Sequence, residues 1–195
     1  MNILPKNPSE FLDRQYWDKF FNKLKQGNSQ QFFEWYGSFD DHRQVLSQLV
    51  PEESVVLNIG CGTSLIAEDM LQAAKLLDIT SCDYSEQVVR DMQERATAKN
   101  LKLKYEVADV FELAKTYKQG QFDVIIDKGT LDAIFPEETT GNIAQLRDKF
   151  FPGVLAALAH RPGSKYIVVS LLQQHILKLL LDYFAKQPNW ALHCY

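Results

Sequence analysis

Gly60-Cys61-Gly62 stands at the end of the apolar run Val55-Val56-Leu57-Asn58-Ile59 and leads through Thr63-Ser64 into a helix-like stretch. A strand that enters a glycine turn and leaves as a helix brings backbone close to a ligand, because glycine accepts unusual φ/ψ and puts no Cβ in the way. The turn suits a flat, adenosine-like molecule. Asp83 ends the second apolar run, about 20 residues beyond the turn, where a carboxylate accepts hydrogen bonds from ribose hydroxyls. Asp109, in Val107-Ala108-Asp109-Val110, closes a third run and is placed to accept from an adenine amino group. Either acid alone reads as a solvated strand end. In register at the carboxyl ends of successive strands, they form one constellation with the turn.

Nicotinamide-binding and S-adenosylmethionine-binding folds both use a glycine turn after a strand. In the dinucleotide fingerprint G-x-G-x-x-G the third glycine permits close helix packing, and the helix N–H groups meet a pyrophosphate. Leu65 occupies that third position here. S-adenosylmethionine carries no phosphate, so the turn and its acids favour it over a nicotinamide cofactor.

The elements that must position these residues are legible as alternating periods. Apolar runs at Ser54–Ile59, Ile79–Asp83, Leu101–Val107, Phe122–Asp127 and Lys165–Leu171 predict strands. Helix-like stretches lie between them at Ser64–Leu76, Ser85–Lys99, Asn142–Ala159 and Gln173–Lys186, with Ser85 as an N-cap candidate. Such alternation predicts a parallel sheet covered by helices on both faces, and continuous runs such as Val124-Ile125-Ile126 suit strands buried on two sides. Trp190 to Tyr195 reads as a sixth strand.

At 195 residues the chain suits one domain that needs no disulfide staple. Three cysteines, Cys61, Cys82 and Cys194, form no C-x-x-C pair, and with four histidines they indicate neither a disulfide framework nor a zinc site. The net charge of −4 is spread along the chain, and the basic stretch Lys99 to Lys104 reads as a solvated strand, so no nucleic-acid footprint is expected. Met1 to Trp17 is polar and broken by Pro5 and Pro8, unlike a signal peptide, and nowhere is there the span of about 18 apolar residues that a membrane helix needs. A reduced, cytoplasmic setting is the expectation. His160, His175 and His193 are scattered and read as structural or exposed.

With these pieces in place, the chain resembles the class I S-adenosylmethionine-dependent methyltransferases. Motif I is Val56-Leu57-Asn58-Ile59-Gly60-Cys61-Gly62, the acidic end of strand two is Cys82-Asp83-Tyr84-Ser85, and the adenine acid lies in Ala108-Asp109-Val110. A narrower resemblance comes from Asp127-Lys128-Gly129-Thr130-Leu131-Asp132-Ala133, which is similar to a segment of the methyltransferase-like enzymes that modify lysines of translation elongation factor 1-alpha. Tyr16-Trp17-Asp18-Lys19-Phe20-Phe21 and Phe33-Glu34-Trp35-Tyr36-Gly37 also match that group's N-terminal cofactor cover, most nearly in the N-terminal half of its two-domain enzyme. The match runs from about Trp17 to the end.

The resemblance implies an α/β, Rossmann-like, doubly wound and mostly parallel seven-stranded sheet, with the last strands incomplete here. It divides a single domain into a helical and aromatic cover, residues 1–50, and a core, residues 51–195. It assigns S-adenosyl-L-methionine to Trp17, Phe21, Trp35, Gly60, Gly62, Asp83, Tyr84, Asp109, Val110 and Asp127, with no metal. Aromatic faces of the cover attract a sulfonium and exclude water.

A lysine acceptor must lose a proton before attack, and its ordinary pKa near 10.4 makes the neutral amine scarce at pH 7. Asp127 and Asp132 are the catalytic candidates that steer the ammonium or take its proton; helix N-capping is the competing role for Asp132. Lys128 reads as a solvated loop charge. Gln173 to Lys178 matches the group on the acceptor side, although core packing explains most of that helix. Thr63 stands where relatives usually carry Asn, and Phe21 where they carry a tyrosine. Elongation factor 1-alpha is the expected protein partner. A small-molecule methyltransferase or a noncatalytic binding module on the same fold would carry the same motif I and acids, because fold does not fix the acceptor.

Overall fold

Continuous Val, Ile and Leu runs form strands whose two faces are both covered, and five such runs build the sheet. In the computed structural model, which describes residues 5, 7–26, 32–74 and 76–195, these are β1 (Val55–Ile59), β2 (Asp78–Asp83), β3 (Leu103–Val107), β4 (Val124–Lys128) and β5 (Lys165–Val169). All pair in parallel, in the order β3-β2-β1-β4-β5. Chain order reverses direction at β1, which lies between β2 and β4. An open parallel sheet has its ligand crevice outside the carboxyl ends of the strands at such a switch point. Register brings those ends level: Ile59 pairs with both Cys82 and Asp127, and Asp83 pairs with Val107.

Helices α1 (Arg14–Gln26), α2 (Phe39–Leu49), α3 (Ile66–Ala73) and α4 (Glu86–Ala98) come first along the chain. Then follow α5 (Leu113–Thr116), α6 (Thr130–Ile134), α7 (Thr140–Gln145), α8 (Phe151–Ala157) and α9 (Gln174–Phe184). Short 3-10 helices occupy Pro8–Leu12 and Val110–Glu112. The side chains of β4 alternate between two cores. Val124 and Ile126 join Phe39, Leu46, Ile66 and Met92 on one face, while Ile125 joins Leu113, Phe150, Phe151 and Ile176 on the other. Burial of this kind supplies most of the driving force, at roughly 25 cal/mol per Å² of apolar surface.

Two expectations change. The helix expected over Asn142–Ala159 is a continuous run from Thr140 to Ala157 whose middle, Leu146–Phe150, is π-helical. Pro152, in the first turn of α8, has no N–H to donate one turn back, and the wider π turn absorbs the break. The sixth strand at Trp190–Tyr195 does not form. Among the described residues the sheet has five strands, not seven. Residues 191–195 are exposed, so no buried face fixes a strand there, while Trp190 packs on Phe184 with ring centroids 5.2 Å apart. No helix among the described residues is long and apolar enough to cross a membrane.

Candidate active site

At the end of β1 the chain turns through Gly60 with φ +57°. A Cβ on Gly60 would meet the Thr130 Oγ1 at 2.2 Å, so glycine is demanded by a neighbouring loop as well as by φ. Thr130 Oγ1 donates to the Ile59 carbonyl at 2.9 Å and binds the start of α6 to the end of β1. Gly62 N–H donates to Asp83 Oδ2 and Ser85 N–H to Asp83 Oδ1, both at 2.9 Å. Asp83 thereby locks the glycine turn to the end of β2. It is buried, which pushes its pKa up, with the two N–H groups opposing. Ser85 does not cap α4 through its side chain, as expected; its Oγ donates to Asp18 Oδ1 at 2.6 Å and latches α1 to the site. Tyr84 is half-buried, with the Arg14 guanidinium 5.8 Å from its ring centroid. Asp109 is exposed and accepts from Phe111 N–H at 2.9 Å, leaving its other oxygen toward solvent beside buried Val110.

The aromatic residues of the cover form one cluster. Trp17 lies 5.9 Å from Phe21 and 6.2 Å from Trp35 between centroids, and its indole N–H donates to the Phe11 carbonyl at 2.8 Å. Phe21 reaches the glycine turn: a Cβ on Gly62 would lie 3.2 Å from Phe21 Cζ. The cover is held by a charge that the sequence reading placed in solvent. The Lys128 side chain is 4% exposed, and its Nζ donates to Glu34 Oε2 at 2.8 Å and to the Trp35 carbonyl at 2.7 Å. Glu34 in turn accepts from Ser64 Oγ at 2.7 Å and from Leu65 N–H at 2.6 Å at the start of α3. An anion there also meets the positive end of the helix dipole. Thr63, the departure from the usual Asn, accepts from Phe33 N–H at 3.1 Å and adds one more tie.

Asp127 and Asp132 divide their expected roles in an unexpected way. Asp127 is 0% exposed; its Oδ1 accepts from Thr130 N–H at 2.9 Å and Leu131 N–H at 3.0 Å, and its Oδ2 from Tyr166 Oη at 2.9 Å. It therefore performs the capping that sequence reasoning offered to Asp132. Burial pushes its pKa up to about 7 against those donors. With no surface and three donors, Asp127 in this arrangement positions the loop and does not meet an incoming amine. Asp132 is half-buried in the first turn of α6, and its Oδ1 accepts from Leu171 N–H at 3.3 Å across the sheet end. Its Oδ2 is shut from solvent and takes no well-formed hydrogen bond, and burial raises its pKa.

The structure thus gathers Gly60, Gly62, Asp83, Trp17, Phe21 and Trp35 about the β1 turn, with Asp127 beside it at the end of β4. Asp132 stands at the junction of α6 and the loop after β5. Sequence reasoning gave no role to Glu34, Thr130 or Tyr166, although Glu34 and Thr130 lay inside the quoted motifs. A hollow of about 800 Å³ between α4 and the free edge of β3, bordered by Arg90, Gln93, Tyr105 and Val107, contains none of these acids. It is a flank of the sheet, and the strand-end geometry marks the site. A second hollow, of about 380 Å³, reaches the glycine turn at Thr63 beneath Phe21 and Phe32.

A doubly wound sheet with an acid-lined glycine turn at its switch point defines a small-ligand-binding α/β domain. Residues 51–151 match the family described as a methyltransferase domain, and the chain belongs to that family. Over 100% of its length it is similar, at 33% identity, to the eEF1A lysine and N-terminal methyltransferase of Mus musculus, and it spans about a quarter (26%) of that relative. It is 30% identical over 97% of its length to EEF1A lysine methyltransferase 4 of Mus musculus, and spans 72% of that protein. Phosphoethanolamine N-methyltransferase 2 of Haemonchus contortus, solved with phosphomonomethylethanolamine and S-adenosylhomocysteine, has a TM-score of 0.58 at 20% identity. It covers 95% of this chain and 43% of its own, and the likeness is one of fold.

Proposed function

We propose that this chain is an S-adenosylmethionine-dependent protein-lysine methyltransferase acting on translation elongation factor 1-alpha. The observation that carries the reading is its similarity, along nearly all its length, to two relatives named for lysine methylation of that factor. Such work belongs in the cytoplasm.

The residues present fit the cofactor. Asp83 spends one lone pair of each oxygen on backbone N–H groups and keeps the others for a pair of ribose hydroxyls. Asp109 offers its outward oxygen to an adenine amino group, with Val110 and Tyr84 as walls. Gly60 and Gly62 let the backbone lie close, and Trp17, Phe21 and Trp35 present aromatic faces to a cation. When bound, S-adenosylmethionine supplies an electrophilic methyl on a sulfonium.

This chain's part is to align the amine and take its proton. Asp127 acts through the loop it caps, while Asp132 presents a carboxylate oxygen with spare acceptor capacity to a lysine ammonium. One proton passes from the ammonium to Asp132, leaving a neutral amine and a neutral carboxyl group.

The test is incubation of the protein with isotope-labelled S-adenosylmethionine and purified elongation factor 1-alpha, read by peptide mass spectrometry. A labelled lysine that disappears with Asp83→Ala is expected. A clean absence of modified lysine with the unaltered chain overturns the substrate.

A further inference from the structure

The turn Trp35-Tyr36-Gly37 is fixed at three successive carbonyls. Lys128 Nζ bonds the Trp35 carbonyl at 2.7 Å and that of Gly37 at 3.4 Å, and His42 Nε2 bonds that of Tyr36 at 2.6 Å. Tyr36 sits between them at φ 58°, a left-handed conformation that a bulky residue adopts only where its surroundings impose it. Its ring lies against Gly129, where a Cβ would come within 3.2 Å of Tyr36 Cε2. From there the phenol faces Asp132. A second left-handed residue, Leu172, follows Leu171, whose N–H holds the other oxygen of Asp132. Two strained turns from opposite ends of the chain therefore converge on one carboxylate, which still has a buried oxygen without a well-formed partner.

We propose that Tyr36 is the positioning residue of the acceptor site: its hydroxyl, aimed by the clamped turn, orients Asp132 so that Oδ2 is presented to a cationic amine. The inference rests on the reading of Asp132 as acceptor of the substrate's proton. The clamp makes that orientation conditional on a docked cover, because Lys128 joins the turn to Glu34. The titratable groups around Asp132 are Tyr36 on the turn, Asp127 at the end of β4 and Tyr166 on β5, with exposed Glu10 on the 3-10 helix that packs against α6. A phenol that donates to the ionised carboxylate favours its charged form, so removing the hydroxyl moves the titration of Asp132 to higher pH.

Tyr36→Phe keeps the ring on Gly129 and removes only the hydroxyl. Carbon-13 NMR of carboxyl-labelled aspartate, with no substrate present, follows Asp132 apart from Asp127. Its midpoint is expected to rise by on the order of half a unit to one unit. With elongation factor 1-alpha as substrate, kcat is expected to fall roughly tenfold, the acid limb of the pH profile to move the same way, and the S-adenosylmethionine KM to stay within about twofold. An NMR midpoint and an acid limb that superimpose on those of the unaltered protein overturn the proposal. So does a Tyr36→Phe protein that no longer unfolds cooperatively, since the hydroxyl is then needed for folding. His42→Ala, which frees the Tyr36 carbonyl without touching the ring, is expected to shift both readouts in the same direction by less. An acid limb that survives in Asp132→Asn overturns the underlying reading; one lost in Asp132→Asn yet unmoved in Tyr36→Phe overturns the role of Tyr36 alone.

Discussion

Whether water and partners reach a carboxylate decides its work, and five positions apart on one loop Asp127 and Asp132 differ in just that respect. Asp127 is sealed and held by three donors, with its pKa pushed from 3.8 up to about 7 by burial. A carboxyl group whose pKa is raised on folding adds stability below its unfolded pKa and loses it as pH rises through the folded one. The contribution of Asp127 is therefore present near pH 4 and lost by about pH 7. Asp127→Asn keeps an acceptor for the two N–H groups and removes the titration. Relative to the unaltered chain, urea unfolding should find it more stable at pH 8 than at pH 5, by at most about 2 to 3 kcal/mol. An unchanged difference at the two values refutes the buried-acid account. The sequence marked both acids as chemically active but gave the cap to the wrong one, because a cap is set by which residue precedes the helix in the left-handed bend at Gly129, and that bend is not visible in residue types.

Elements are joined here by contacts too distant in sequence for any local period to reveal. Strands and the helices of the core were legible, since a buried parallel strand must be continuously apolar and its covering helix amphipathic. Lys128 was not: read beside Asp127 and Gly129 it is a loop charge, yet it pairs with Glu34, 94 residues away. That pair, with Ser64 and Leu65 on Glu34, docks the aromatic turn onto the start of α3. Lys128→Met fills similar space and leaves Glu34 without its cation. Stripping one partner from a buried pair costs about 3 to 5 kcal/mol, and the partial exposure of Glu34 (22%) places this one toward the lower figure or below. Hydrogen exchange at residues 33–37 should quicken, and affinity for S-adenosylmethionine by calorimetry should fall about tenfold or more as the Trp35 face is released. Glu34→Gln, which retains acceptors for Ser64 and Leu65, should cost less on both measures. Equal exchange rates in Lys128→Met and the unaltered chain would place the hold on the cover in its aromatic contacts instead.

At the scale of the molecule, a sheet covered on both faces carries two cores that share every central strand. Ile125 faces one and its neighbours Val124 and Ile126 the other, all 0% exposed, so neither core can open while β4 stays paired. The five parallel strands followed from sequence periodicity, whereas the expected strand at Trp190–Tyr195 failed because its residues alternate without a covered face to receive them. Shared strands predict a single unfolding transition even though the cores do not touch. Ile176→Val on α9 and Ile79→Val on β2 trim one methylene from each core, at 0% and 1% exposure. Each should cost roughly 0.5 to 1.5 kcal/mol, and the double variant their sum within about 0.5 kcal/mol, with an unchanged denaturant slope. Circular dichroism should report one midpoint for every variant, and tryptophan fluorescence, read from Trp17 and Trp35 on the cover and Trp190 on α9, should coincide with it. If Ile176→Val moves the fluorescence midpoint away from the circular dichroism midpoint, the faces unfold separately, and β4 does not transmit stability from the α9 side to the glycine turn.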